Sequence, residues 1–226
     1  MADSSINKFL DGYSIEVTPN AAAKIDNFSD VLPNNTRIYI AHIEGTPIED
    51  MVKTAKKITD EGFVPMPHFP ARIIKNENVL SEWISQYANE ANVEEALVIA
   101  GGAHKPYGNF DSSIQLIETG IFDKANFKRI HVAGHPEGNK DIDSDKSNKN
   151  VNEALSWKNE FAKRTDAKIA IATQFCFDSN TVIKWANDIH AMGIDLPIHI
   201  GIAGPAKLQT LLRYSIECGV GASIKI

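Results

Sequence analysis

A glutamine closes one of the most apolar runs in the chain. Lys168-Ile169-Ala170-Ile171-Ala172 leads into Thr173-Gln174-Phe175-Cys176-Phe177-Asp178 and turns abruptly polar. A glutamine amide at the end of a buried strand donates and accepts hydrogen bonds at once, which suits a flat heterocycle with alternating donors and acceptors. The same amide could equally cap local backbone groups, and the stretch alone does not choose. Other apolar runs end in the same fashion, at Glu16, His42, His68, Gly102, His135 and Gly204. Glu16 and the histidines could serve a lyase or hydrolase directly. The histidines lack compact ligand spacing such as His-Glu-x-x-His, which disfavours a metal centre. Phosphate cradles of the Walker type and the dinucleotide glycine fingerprint are absent, and Gly101-Gly102 is too short to stand for either.

The elements that must carry these residues alternate. Strand-like segments are expected at 12–17, 37–42, 62–69, 95–100, 127–133, 168–172 and 197–202. Helices are expected at 21–28, 47–61, 79–89, 112–119, 151–164, 180–192 and 206–218. Thr46-Pro47 reads as an N-cap followed by proline at the first helical position. The third strand carries Pro65 and Pro67, which cannot donate to a ladder. The stretch 139–150 holds charges of both signs and little to bury, and reads as a mobile excursion. Strands alternating with helices, without hairpin signals, mean a parallel sheet. Polar residues after nearly every strand fit a (β/α)8 barrel, which gathers all strand ends on one face, better than an open sheet with one switch point. The sequence stops after Ile226 with no eighth strand, so the barrel is expected to lack its last βα unit.

Composition bounds the rest. A length of 226 residues suits a single domain, 1–226, and 43% hydrophobic content is enough for a substantial core. A net charge of -6 without a basic stripe argues against nucleic-acid binding. No apolar run approaches a membrane span, and Met1-Ala2-Asp3-Ser4-Ser5 lacks the features of a signal peptide. Cys176 and Cys218 show no metal spacing, and two free thiols suit a cytoplasmic protein.

Ser14-Ile15-Glu16, Pro67-His68, Ala133-Gly134-His135-Pro136-Glu137 and Thr173-Gln174-Phe175-Cys176-Phe177-Asp178, in that order, resemble methylenetetrahydrofolate reductase. The resemblance runs from about residue 12 to residue 226. It implies a (β/α)8 flavoprotein that binds FAD at the C-terminal ends of its strands. It further implies reduction of 5,10-methylenetetrahydrofolate to 5-methyltetrahydrofolate in one-carbon metabolism, with NAD(P)H or another donor as electron source. Through it, Glu16 becomes the acid that protonates the folate N10 as the five-membered ring opens to an iminium, a task for a carboxyl group kept protonated by partial burial. Gln174 becomes a contact to the pterin ring. Cofactor positions fall on His68, Ala100, Gly101, Gly102, Ala133 and His135, with Lys163, and only in second place Lys158, reaching the FAD phosphates. Gly102 and Leu208 join Gln174 on the substrate side.

Departures from the family pattern carry their own expectations. Ala100-Gly101-Gly102 stands where the family has Arg-Gly-Asp. Loss of that carboxylate raises the flavin potential and weakens stabilisation of cationic folate intermediates. His104, two residues on, could fill part of that space. His135 replaces a tyrosine, and Leu208 replaces an aromatic that would stack on folate or nicotinamide. The alternative to a reductase is therefore a non-catalytic or partner-dependent folate- or flavin-binding protein. The family's habit of oligomerising, together with an incomplete barrel, favours a homo-oligomer.

Overall fold

The computed structural model describes residues 4–204 and 206–217. Seven strands form one sheet in chain order: β1 (Ser14–Val17), β2 (Arg37–Ile40), β3 (Val64–Pro70), β4 (Glu95–Ile99), β5 (Arg129–Gly134), β6 (Lys168–Thr173) and β7 (Ile198–His199). Every adjacent pair is parallel. Between them run α2 (Pro19–Ala22), α3 (Ile48–Asp60), α4 (Glu77–Ala91), α5 (Ser113–Glu118), α6 (Ile121–Lys124), α7 (Lys149–Phe161) and α8 (Ser179–Ala191). α1 (Ser4–Phe9) precedes the sheet and α9 (Leu208–Glu217) follows it. No helix among the described residues is long and apolar enough to cross a membrane.

The (β/α)8 barrel, expected from the sequence with its last βα unit missing, is not formed among the described residues. Among the described residues β1 pairs only with β2 and β7 only with β6, so the sheet is an open, seven-stranded parallel α/β layer with two edges. A run of polar strand ends does not require closure, because strong curling alone turns those ends toward a shared rim. The curl is visible in contacts that skip strands. The Arg37 guanidinium on β2 donates to the Glu95 carboxylate on β4, over the top of β3. Tyr39 on β2 reaches Nδ1 of His131 on β5 at 2.5 Å.

Period-two alternation assigns the two faces. Ile38, Ile40, Phe69, Ala96, Val98, Ile130, Val132, Ile169 and Ile171 point to the convex side and join the helices in the main core. The opposite face carries Arg37, Tyr39, Met66, Glu95, Leu97, Arg129 and His131, of which Tyr39, Met66 and Leu97 make a small separate apolar cluster.

Local chemistry explains the element ends and several shifts from expectation. β3 tolerates its prolines by changing partners, pairing with β2 through residues 64–67 and with β4 through residues 68–70. Pro47 is itself the N-cap of α3, without a side-chain cap from Thr46. The first expected helix shrinks to α2, where Thr18 accepts from the Ala21 amide, with a 3-10 turn at Phe28–Asp30. Asp178 caps α8 by accepting from Asn180 and Thr181. The 139–150 stretch does bury something. Asp143 is 3% exposed, and its two oxygens accept the amides of Asn150 and Val151 at 3.0 Å, tying the excursion to the start of α7.

Candidate active site on the concave rim

Glu16 and His68 meet at the strand ends on the concave side. His68 Nε2 lies 3.1 Å from Glu16 Oε2, with side-chain exposures of 11% and 56%. The approach is oblique, and Nε2 has no other partner among the described residues. Burial at the mouth of the curl raises the Glu16 carboxyl pKa, but the hydrogen bond and charge of His68 outweigh it, and the net shift is downward. Glu16 is thus held as a carboxylate, the opposite of what a lone glutamic acid needs to deliver a proton at neutral pH.

Beneath this pair sits a layer that sequence reasoning missed. The Tyr39 ring meets His68 edge-on, with centroids 6.3 Å apart, and its hydroxyl is held by His131. Desolvation is the main reason the Tyr39 pKa is pushed up to about 12, so its hydroxyl keeps its proton and donates to His131 Nδ1. His131 is fully buried, and burial, then the charges of His199, Arg37 and Arg129, lower it to about 2. It is a neutral imidazole whose Nε2 finds no partner among the described residues. His199 on β7 packs against it at a tilt, with centroids 4.6 Å apart. Lower still, Glu95 lies between Arg37 and Arg129. The signal for this layer was present in the sequence. Arg37-x-Tyr39, Glu95 and Arg129-x-His131 are polar at period two inside apolar strands, which marks a second, polar face.

A second group surrounds β5 and α7. Lys158 is only 5% exposed, and burial lowers its pKa to about 8. It lies near His135, whose pKa falls to about 4 through burial first and the Lys158 charge second. Lys163, by contrast, is exposed and pairs with Glu160 at 2.6 Å. Of the two lysines, Lys158 is the one directed inward. Ala133 is partly buried beside Ala172 in the β5–β6 register.

Gln174 follows β6, partly buried, and its Oε1 accepts the Phe175 amide at 3.0 Å. This is the local cap that competes with ligand binding for the same side chain. After β4, Ala100 accepts from the Arg72 amide, and Gly101 takes a φ of 89° that a Cβ would strain while striking Pro70 at 2.7 Å. Gly102 faces open space, with nothing within 4 Å of where a Cβ would stand. His104 is exposed in the loop that follows. Tyr107 in that loop donates to Glu44 at 2.6 Å, linking the loops after β4 and β2. Leu208 opens α9, and its side chain lies outside the described residues, as does Cys218.

The structure brings Glu16 and His68 into contact and sets His135 near Lys158. Among the described residues, no group of three or more His, Cys, Asp or Glu could hold a metal ion. No family model matches the chain. The chain is similar to a metagenomic short-chain oxidoreductase crystallised with NADP, at 10% identity and a TM-score of 0.37, over 86% of this chain and 98% of that one. A likeness at that level carries no argument about this chain's chemistry.

Proposed function

We propose that this protein binds a flavin and a reduced folate at its concave rim and reduces 5,10-methylenetetrahydrofolate to 5-methyltetrahydrofolate. The observation that carries the reading is the Glu16–His68 pair, a carboxylate and an imidazole 3.1 Å apart where opening of the substrate's five-membered ring calls for a proton. The order of the motifs along the chain supplies the substrate class. Gln174 supports it as an amide at the same set of strand ends, its NH2 left to donate while Oε1 holds Phe175.

The residues fit FAD. A buried lysine that forms no ion pair with an acidic side chain among the described residues is suited to a diphosphate, and Lys158 is that residue. His135, His68, Ala133 and the Ala100-Gly101-Gly102 turn would border the ring system, with the open space at Gly102 leaving room for a flat ligand. A flavin held by these residues would supply the hydride, with NAD(P)H or another donor as its reductant. The chain's own residues orient the folate, exclude water and deliver the proton.

A second reading is favoured by Gly102. Gly102 brings no carboxylate to that strand end, which removes one group that could stabilise a cationic folate, and on this reading the protein binds without turning over. Titration with FAD followed by mass identification of the retained ligand tests the shared part of both readings. Stable yellow protein is expected, with Lys158→Met weakening FAD binding more than riboflavin binding. Protein that stays colourless in excess FAD contradicts the proposal.

A further inference from the structure

The pair that carries the proposed function poses a problem of proton supply. Glu16, at 56% side-chain exposure, is the member that can touch a substrate, whereas His68 at 11% is walled off behind it. Yet Glu16 is held as a carboxylate, because the influence of His68 outweighs burial, and so carries no proton of its own at neutral pH. Among the described residues the His68 ring is the close reservoir: its Nε2 lies 3.1 Å from Glu16 Oε2, approaching obliquely and without another partner. The ring is fixed edge-on against Tyr39, itself locked by His131, so its direction toward Glu16 is set before any ligand arrives.

We propose that His68 and Glu16 form a proton-relaying dyad in which His68 stores the proton and Glu16 hands it to the substrate, an inference that rests on the folate-reductase reading. His68 Nε2 gives its proton to Glu16 Oε2, and the carboxylic acid so formed gives it to the substrate's N10. As the bond from N10 to the methylene carbon breaks, its electron pair stays on N10 and takes that proton. The N5 lone pair forms the N5–methylene double bond of the iminium. The dyad is left as neutral imidazole and carboxylate, and one proton from water restores it. Glu16 is the catalytic residue, and His68 acts through it.

The titratable groups facing the pair do not compete for this proton. Tyr39 is pushed up to about 12, chiefly by burial, and keeps its proton throughout the neutral range. His42, packed at a tilt against Trp83 and bonded through Nε2 to the Thr46 carbonyl, is lowered by burial first, against the raising effect of Thr46, and by the charge of His68. It stays neutral where the dyad works.

Single-turnover reoxidation of the reduced, FAD-loaded protein by methylenetetrahydrofolate tests the dyad, using Glu16→Gln, His68→Phe and the double variant. Each single change is expected to slow reoxidation by about 10²–10⁴-fold, the usual weight of a positioned proton donor. The double is expected to be no slower than the slower single, because the two act as one unit. A His68→Phe rate close to the parent's, or a double variant slowed by the product of the two singles, overturns the proposal. His68→Gln, which retains a polar head, gives the same loss if the phenylalanine variant does not fold.

A second measurement separates failure of the dyad from failure of the function. The Glu16 carboxyl, titrated by carbon NMR without any ligand, should move upward in His68→Phe, because only the raising effect of burial remains. Absence of turnover in the parent refutes the folate reading. An unmoved Glu16 titration refutes the dyad, whatever the protein turns over.

Discussion

The two faces of this sheet are built on opposite terms. On the convex side Phe69, Phe122 and Phe127 interlock edge-to-face, with centroids 5.2 to 6.2 Å apart, and Tyr87 packs on Phe69 at 5.5 Å. The concave side has only Tyr39, Met66 and Leu97 as an apolar cluster. That cluster lies between a charged layer of Arg37, Glu95 and Arg129 and a rim of Glu16 and His68. Aromatic burial on one face stabilises the fold by area and shape. Polar groups on the other cost desolvation and persist through pairing. His68 and His131 each keep a buried nitrogen without an in-line partner among the described residues, and the Tyr87 hydroxyl on the convex side likewise lacks one.

Breaking the convex side gives the largest loss of stability. Phe69→Ala is expected to lower unfolding free energy by about 3–5 kcal/mol, read by denaturant titration, since Phe69 is fully buried among aromatic rings. Glu95→Gln attacks the concave charge layer and should cost about 3 kcal/mol, at the low end for a broken buried pair because the partners retain some exposure. It leaves two guanidinium groups facing each other without their carboxylate.

His131→Phe sharpens the contrast through pH. The folded His131 is lowered to about 2 from an ordinary value of 6.5, so the unfolded chain binds the extra proton between those limits. Stability is therefore fully present above about pH 6.5 and declines toward pH 2, by up to about 1.4 kcal/mol per pH unit for this one group. The variant should lose that share of the slope, and should cost about 1–3 kcal/mol near neutrality by orphaning the Tyr39 hydroxyl. Lys163→Ala is the smallest effect. Its exposed pair with Glu160 contributes less than about 1 kcal/mol, and FAD binding should be unchanged, in contrast to Lys158→Met.

Much of this architecture was legible in the sequence, and the misses have physical causes. Periodicity and glycine or proline punctuation located each strand, because parallel strands buried on the helix side are dense in Ile, Val and Ala. Closure was not legible. It depends on whether the first and last strands pair, and local pattern does not encode that register. β7 shrank to Ile198–His199 although Pro197 to Ile202 reads as a strand, for Gly201 instead turns its amide to the Thr173 hydroxyl at 2.8 Å. The polar ends of apolar runs drew the eye to Glu16, His68 and Gln174, although Glu16 and His68 lie within β1 and β3, while Tyr39, His131 and His199, set among apolar neighbours inside strands, drew no reading. The sequence favoured Lys163 over Lys158 with the register uncertain by a residue, and the choice needed the helix's buried face, which carries Lys158 and leaves Lys163 exposed.

The central claim is that this rim moves a proton and a hydride into a methylene-bridged folate. Its most direct test is anaerobic mixing of the photoreduced, FAD-loaded protein with 5,10-methylenetetrahydrofolate in a stopped-flow instrument. The account predicts return of the oxidised flavin's visible absorbance together with formation of 5-methyltetrahydrofolate in equal amount. A flavin that stays reduced, with the folate bound and unchanged, would contradict it.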